Sequence, residues 1–185
     1  MADILKLVVA GPFGSGKTTF VSTACADAIG AERAVTDATS RLKEQTTVAM
    51  DHGTARIAVA EGEQLVTLFG TPGQERFSFM WPMLAQGMAG YVLLVDASRL
   101  QAQAQLKSIV RRFAAFAPDV PFVLAANRWD PDSLSREQLA EFVGVPGDCV
   151  VACDPRDAQQ THDLLAHLLR DIASRTAAGA EVEAS

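Results

Sequence analysis

The stretch GPFGSGKT at residues 11–18 limits the fold more than any other part of the chain. Two glycines frame four residues, and a lysine and a hydroxyl residue follow directly, so the backbone can turn tightly with its N–H groups aimed at one centre. Such a loop works when a strand enters it and a helix leaves it, because the helix start adds unpaired N–H groups and a positive partial charge at the same point. Both flanks fit. Ile4 to Ala10 is a short apolar run, and Lys17 to Ile29 has helical length. The chemistry suits phosphate: Lys17 can reach β- and γ-phosphates, and the Thr18 hydroxyl can ligate Mg²⁺. Gly11, Phe13, Gly14, Ser15, Gly16 and Thr19 complete the expected contact set around the loop.

The rest of the chain repeats the strand-then-helix rhythm. Leu65 to Phe69, Tyr91 to Val95, Phe122 to Ala126 and Cys149 to Ala152 are brief apolar runs that read as buried parallel strands. Helical stretches lie at Arg99 to Phe116, Ser135 to Val143 and Asp157 to Ala177. In the first of these, Leu106, Ile109, Val110, Phe113 and Phe116 recur at steps of three and four, which marks one buried face. Ser135 with Gln138 three residues on reads as a helix cap. Between Thr46 and Phe69 no helix fits, and the turn-like Glu61-Gly62-Glu63 predicts a hairpin with an antiparallel edge strand from about Val48 to Ala60. Gly53 and Thr54 inside that strand predict a bulge or kink. The expected fold is α/β, three-layered, with a six-stranded, mostly parallel sheet and one antiparallel edge strand. One domain over residues 1–177 is expected, with 178–185 a small, acidic, disordered tail.

Composition excludes several classes. No apolar run reaches the roughly 18 to 20 residues that span a bilayer, and a net charge of −6 disfavours non-specific binding to nucleic acid or anionic lipid. Cys25, Cys149 and Cys153 lack metal-ligand spacing and are odd in number, which fits a reducing cytoplasm. His52, His162 and His167 have no ligand partners at metal spacing and read as structural or surface residues. The start at Met1-Ala2 and the ending AEVEAS carry no lipidation signal, so no direct membrane anchor is expected. Recruitment to a membrane would go through partners.

The segment AANRWD places Asn127 and Asp130 at N-x-x-D spacing after a buried strand. A carboxylate accepts two hydrogen bonds from N1–H and the exocyclic amine of guanine, whereas adenine has no proton at N1 and would leave it unpaired. Sites of this kind reject the analogue by on the order of 10⁴. With this segment the chain resembles the Ras-like small GTPases over roughly residues 4 to 177, in five segments: GPFGSGKT, the threonine of QTTVAMD, TPGQERF, NRWD and ACD. The phrases TTVAMD, LFGTPGQERF and FMW are most similar to the bacterial branch, the MglA-type and actinobacterial conservon GTPases.

That resemblance implies GTP and GDP as ligands, with Mg²⁺ held by Thr18 and Thr47, Thr46 being the alternative to Thr47. It implies that Gly73 contacts the γ-phosphate and Gln74 orients the attacking water. The Arg128 stem would cover the base plane, beside Asn127 and Asp130. The Cys153 backbone N–H would meet the guanine carbonyl, with Asp154 next to it. It further implies slow hydrolysis and a molecular switch read by effectors. A roadblock-fold, MglB-like regulator would be its partner.

Two positions depart from the pattern. Gly70 stands where switch II usually begins with an aspartate that holds Mg²⁺ through water, so weaker coupling of nucleotide affinity to Mg²⁺ is expected. Asp51 could compensate, against the plainer reading of an exposed acid on an edge strand. Phe13 stands where eukaryotic relatives keep a glycine, and its ring would crowd an arginine supplied by a partner. Lys17 and Gln74 are the expected catalytic residues, joined by Arg41 or Arg76 if an arginine acts from within the chain; each arginine also reads as an ordinary surface residue. The string Phe77, Phe79, Met80, Trp81, Met83 and Leu84 reads either as core packing or as an exposed docking patch. The rival functional reading is a non-hydrolysing, nucleotide-bound scaffold. A kinase-like ATP enzyme is disfavoured by NRWD and by the lack of a lid.

Overall fold

A computed structural model describes residues 4–25, 51–73 and 75–183, with side chains to residue 178. Strand β1 (Leu5–Ala10) leads through the glycine loop into helix α1 (Lys17–Ala24). A hairpin follows, β2 (His52–Val59) and β3 (Gly62–Gly70), then a 3₁₀ turn (Glu75–Met80) that runs into α2 (Trp81–Ala85). The remaining order is β4 (Gly90–Asp96), α3 (Leu100–Phe116), β5 (Phe122–Asn127), α4 (Arg136–Val143), β6 (Val150–Ala152) and α5 (Ala158–Glu183). The strands form one sheet in the order β2-β3-β1-β4-β5-β6, with β2 antiparallel to β3 and the other pairings parallel. The α/β expectation and the antiparallel edge strand hold, and the sheet has the architecture of a P-loop NTPase.

The sheet is buried on both faces, which is why its central strands are apolar without interruption. All of β4 is buried; Tyr91, Leu93 and Val95 point into the layer under α3 and α4, while Val92 and Leu94 point under α1 and α5. Alternation along one strand thus feeds two cores. Leu106, Ile109, Val110 and Phe113 are buried along α3, with Phe116 packed at its end, so the stripe read from the sequence is the contact face. Helix α4 starts on the Ser135 cap: the Gln138 amide donates to Ser135 Oγ at 3.2 Å and the Ser135 amide to Gln138 Oε1 at 2.9 Å.

The structure departs from the sequence reading at three points, and two expected stretches lie outside the described residues. The first helix is described to Ala24, and the part of its expected length beyond Cys25 lies outside the described residues, as do residues 48–50 of the edge strand. The 3₁₀ turn and α2 were not separated from the switch II region by any periodicity, since Pro82 and a five-residue length leave too little pattern to detect. Helix α5 continues to Glu183, past the Ala177 limit. The bulge expected at Gly53 does not form, because β2 pairs with β3 residue for residue from His52↔Phe69 to Val59↔Gly62.

Gly53 has a packing reason instead. A Cβ at that position would lie 2.6 Å from Cys25 Sγ and 3.0 Å from its Cβ, so the end of α1 rests directly on the β2 backbone. Gly53→Ala should therefore lower stability by about 1–3 kcal/mol in urea unfolding, and adding Cys25→Ala, which removes the Sγ contact but keeps Cβ, should recover part of the loss. Equal midpoints for Gly53→Ala and the parent chain would contradict the contact.

Candidate functional site

Parallel register gathers the site. Val9 pairs with Gly70 and Val92, Asp96 with Asn127, and Ala126 with Ala152, so the carboxyl ends of β1, β3, β4, β5 and β6 finish along one edge. Ligands of open α/β sheets bind outside that edge, where successive strands are laid down on opposite sides of the first. A cavity of about 660 Å³ opens there, lined by the glycine loop, Asp51, Thr71 to Gly73, Arg76, Phe77, Asn127, Arg128, Pro155 and Arg156.

The loop and the start of α1 form the floor. Gly16 caps the helix at φ +106°, a conformation only glycine adopts freely, and supplies no side chain to cover the first turn. The early helical N–H groups are left for a ligand. Lys17 is 7% exposed, and its Nζ donates to the carbonyls of Gly11 at 2.8 Å and Pro12 at 2.7 Å. Burial lowers its pKa to about 8, against the opposing pull of the Asp51 carboxylate. Ser15 Oγ and Thr71 Oγ1 are buried without a hydrogen-bond partner among the described residues. Gly73 meets the loop so closely that a Cβ there would come within 2.7 Å of Lys17 Nζ and 3.0 Å of Phe13 Cα. Phe13 itself is 73% exposed at the cavity mouth.

The far end is built from the β5 and β6 loops. Asn127, buried, donates from Nδ2 to Ser15 O at 3.3 Å and so ties N-x-x-D to the phosphate loop. Arg128, at φ +50°, projects from the cavity wall and donates to the buried Asp96 at 2.8 Å. Asp130 is exposed, and its Oδ1 accepts from the Asp132 amide at 3.1 Å. Asp154 holds Arg156 bidentately, at 3.0 Å to Nε and 2.7 Å to Nη2, and Arg156 lines the cavity. The Cys153 amide, expected to face a base, donates instead to Ala126 O at 3.1 Å, and the Asp154 amide donates to Gln160 Oε1 at 2.9 Å. Both amides continue local structure rather than opening to the cavity.

On the switch side, Thr18 Oγ1 donates to Asp51 Oδ2 at 2.7 Å. Asp51 thus enters the site, where the sequence favoured an exposed acid. Arg76 lines the cavity, with its guanidinium 4.8 Å from the Phe77 ring centre. Thr46, Thr47, Arg41 and Gln74 lie outside the described residues. The apolar string divides: Trp81 and Leu84 are buried, while Phe79 at 73% and Met83 at 62% are exposed. Trp81 donates from Nε1 to Pro72 O at 3.3 Å and anchors the turn before Gly73. The histidines pack or pair locally: His52 against Phe69, His162 on Ala24 O, and His167 near Asp171. No group of three His, Cys, Asp or Glu side chains could hold a metal among the described residues.

Comparison with known proteins places the chain. A family model described as "Conserved hypothetical ATP binding protein" matches residues 22–167, most of the chain. The chain belongs to that family. Among individual relatives, it is similar to GTP-binding protein ypt4 of Schizosaccharomyces pombe, 29% identical over 151 residues, 75% of this chain and 58% of the yeast protein. It thus spans less than two thirds of that relative. An uncharacterized protein of Methanocaldococcus jannaschii is 26% identical over 140 residues, 76% of this chain and 80% of its own length. Nucleotide binding by this member of the ATP-binding family accords with the cavity: a buried cation, two unpartnered hydroxyls and an uncovered helix start are all donors, which suits an anionic phosphate chain. Hard oxygen groups at Thr18 and Asp51 suit Mg²⁺. No helix among the described residues is long and apolar enough to cross a membrane.

Two residues here escaped sequence reasoning. Asp96, 1% exposed, ends the most buried strand, and an acid in that position was the available signal. Arg156 gave none, since only folding brings it to the cavity that Arg128 also lines. Burial would raise the Asp96 pKa, but the Ser98 hydroxyl and amide and the Arg128 guanidinium outweigh it and hold the carboxyl below its ordinary value. A depressed folded-state pKa stabilises above the unfolded value of about 4 and is lost as pH falls through the folded value. The stability advantage over Asp96→Asn should accordingly be full at neutral pH and shrink below about pH 4, as followed by urea unfolding at stepped pH. A difference that stays constant with pH would remove the charge from this account.

Proposed function

We propose that this chain is a guanine-nucleotide switch that binds GTP and GDP with Mg²⁺ and hydrolyses GTP slowly. The Asn127–Ser15 bond carries the reading, because it joins a base-recognition segment to a phosphate loop across one cavity. Asp130, acceptor-only when ionised and oriented by the Asp132 amide, suits the two donors on the guanine edge. The name of the yeast relative supports guanine. An adenine nucleotide is the second reading, favoured by the family description and by the engaged Cys153 and Asp154 amides, which leave a guanine carbonyl without its expected partner.

For hydrolysis, Lys17 would exchange the Gly11 and Pro12 carbonyls for phosphate oxygens, and an anion there would restore the pKa that burial has lowered. Ser15 and Thr71 hydroxyls are further donors toward the phosphates. Mg²⁺ supplies neutralisation of charge developing on the phosphate oxygens. Gln74, by resemblance, orients the water. Arg76, which lines the cavity beside Gly73, is the candidate arginine among the described residues to stabilise that charge, while the exposed Phe13 ring obstructs one from outside. The motif phrases extend the proposal to the bacterial MglA-type branch, with a cytoplasmic location and a roadblock-fold regulator that can recruit the chain to a membrane.

In competition binding, the purified protein should prefer GDP over ADP by at least on the order of 10², and Asp130→Ala should erase the preference while retaining affinity for phosphates. Phosphate release from GTP should fall in Gln74→Leu. A preference for ADP would overturn the base assignment, and no release by the parent chain would leave a nucleotide-bound scaffold.

A further inference from the structure

Gly73 fills the space between Lys17 and Phe13. A Cβ built on it would lie 2.7 Å from Lys17 Nζ and 3.0 Å from the Phe13 backbone nitrogen. Both are hydrogen-bonding distances, so that point is a seat for an oxygen shared by the two nitrogens. The Gly73 Cα is one bond, about 1.5 Å, away from it and excludes any such oxygen. Lys17 is at the same time turned inward, onto Gly11 O and Pro12 O. The block is local. Gly16, where the helix start is uncovered, faces Pro155 and Asn127 rather than Gly73.

The turn that carries Gly73 is tied at its entry and by its own carbonyl. The Thr71 amide donates to Val9 O at 2.8 Å, and Pro72 O accepts from Trp81 Nε1 at 3.3 Å. Trp81 is 3% exposed and packs against Phe113 with ring centres 6.0 Å apart, so its N–H is shielded from competing water. The Arg112 guanidinium stands 5.6 Å from the Trp81 ring centre and 3.5 Å from Glu75, but that ion pair is at the surface and adds little. Behind the turn lies a cavity of about 100 Å³, bounded by Pro12, Gly73, Trp81, Ser108, Ile109 and Arg112. Dense packing there would fix Gly73 against Lys17, whereas this void gives the turn a second place to stand.

We infer that Gly73 sets a preference for a nucleoside diphosphate over a triphosphate, and that Trp81 is the positioning residue that holds it there through Pro72 O. The inference deepens the proposed switch and rests on the nucleotide reading of the large cavity. A third phosphate enters only when Gly73 leaves Lys17 for the void behind it, and that movement breaks the Trp81–Pro72 hydrogen bond. Affinity for a triphosphate is therefore lowered by the free energy of the displacement. A diphosphate seated on the helix start does not meet it.

The test uses the full chain in Mg²⁺ buffer with a fluorescent GDP, displaced by GDP or by a non-hydrolysable GTP analogue. The parent should hold GDP tighter than the analogue by at least about tenfold. Trp81→Phe keeps an aromatic ring and removes the N–H. It should narrow that ratio by about three- to tenfold, the worth of one hydrogen bond, with GDP affinity unchanged within about twofold. A general loss of packing would instead weaken both ligands alike and leave the ratio where it was. Ser108→Leu, at the exposed rim of the void, fills the space into which the turn withdraws and should widen the ratio by at least about threefold. Should Trp81→Phe not fold, Ser108→Leu alone decides. If the chain prefers adenine, the same ratio is read with ADP and the matching ATP analogue. Ratios within about twofold of the parent in the folded variants, or a parent that holds both ligands equally, overturn the inference and leave nucleotide binding standing. A parent protein that binds neither guanine nor adenine nucleotides overturns the nucleotide reading and this inference with it.

Discussion

A lysine cation buried beneath a loop of carbonyls governs this molecule. Lys17 is held by Gly11 O and Pro12 O, with Asp51 the carboxylate that opposes the cost of its burial. A charge in that position is tolerated only while acceptors surround it, and carbonyl dipoles are weaker partners than an anion. The loop accordingly suits an anionic ligand: Gly16 uncovers the helix start, Ser15 and Thr71 keep hydroxyls without partners among the described residues, and Gly73 approaches so closely that a Cβ would press on Lys17 and the Phe13 backbone. The sheet serves this arrangement by ending five strands along one edge.

The β5 and β6 end of the cavity shows a second theme, in which cations are positioned by dedicated carboxylates. Buried Asp96 takes Arg128, and Asp154 takes Arg156, so both guanidiniums stand at the cavity with their geometry set in advance. Arginine presents a planar, delocalised cation that can lie against a purine face as readily as beside a phosphate. Asn127, bonded to Ser15 O, keeps the two ends of the cavity at one spacing.

Much of the fold was legible because it rests on local rules. Apolar runs of strand length, the stripe Leu106 to Phe113 and the Ser135–Gln138 cap each depend on neighbours a few residues away, and each formed as read. The failures were of another kind. Gly53 looked like a bulge because glycine in a strand usually marks one, but the cause was Cys25, 28 positions earlier and folded against it. The apolar string after Gly73 could not be divided into core and surface, since a short 3₁₀ turn and a five-residue helix have no resolvable period; Trp81 went inward and Phe79 outward.

Chemistry followed the same division. Gly11, Gly16, Lys17 and Thr18 at their offsets, and Asn127 and Asp130 at theirs, could be read as the groups a nucleotide would need, because each set sits within one short loop. What the sequence could not decide was which residues from separate strands would share a place. Asp51 and Gly70 lie far apart in the chain, and a missing carboxylate at Gly70 reads as a loss until antiparallel pairing puts Asp51 beside it. Motifs determine the groups offered to a ligand; strand register and packing decide which of them meet, because side-chain positions across a sheet are set by pairing and not by spacing along the chain.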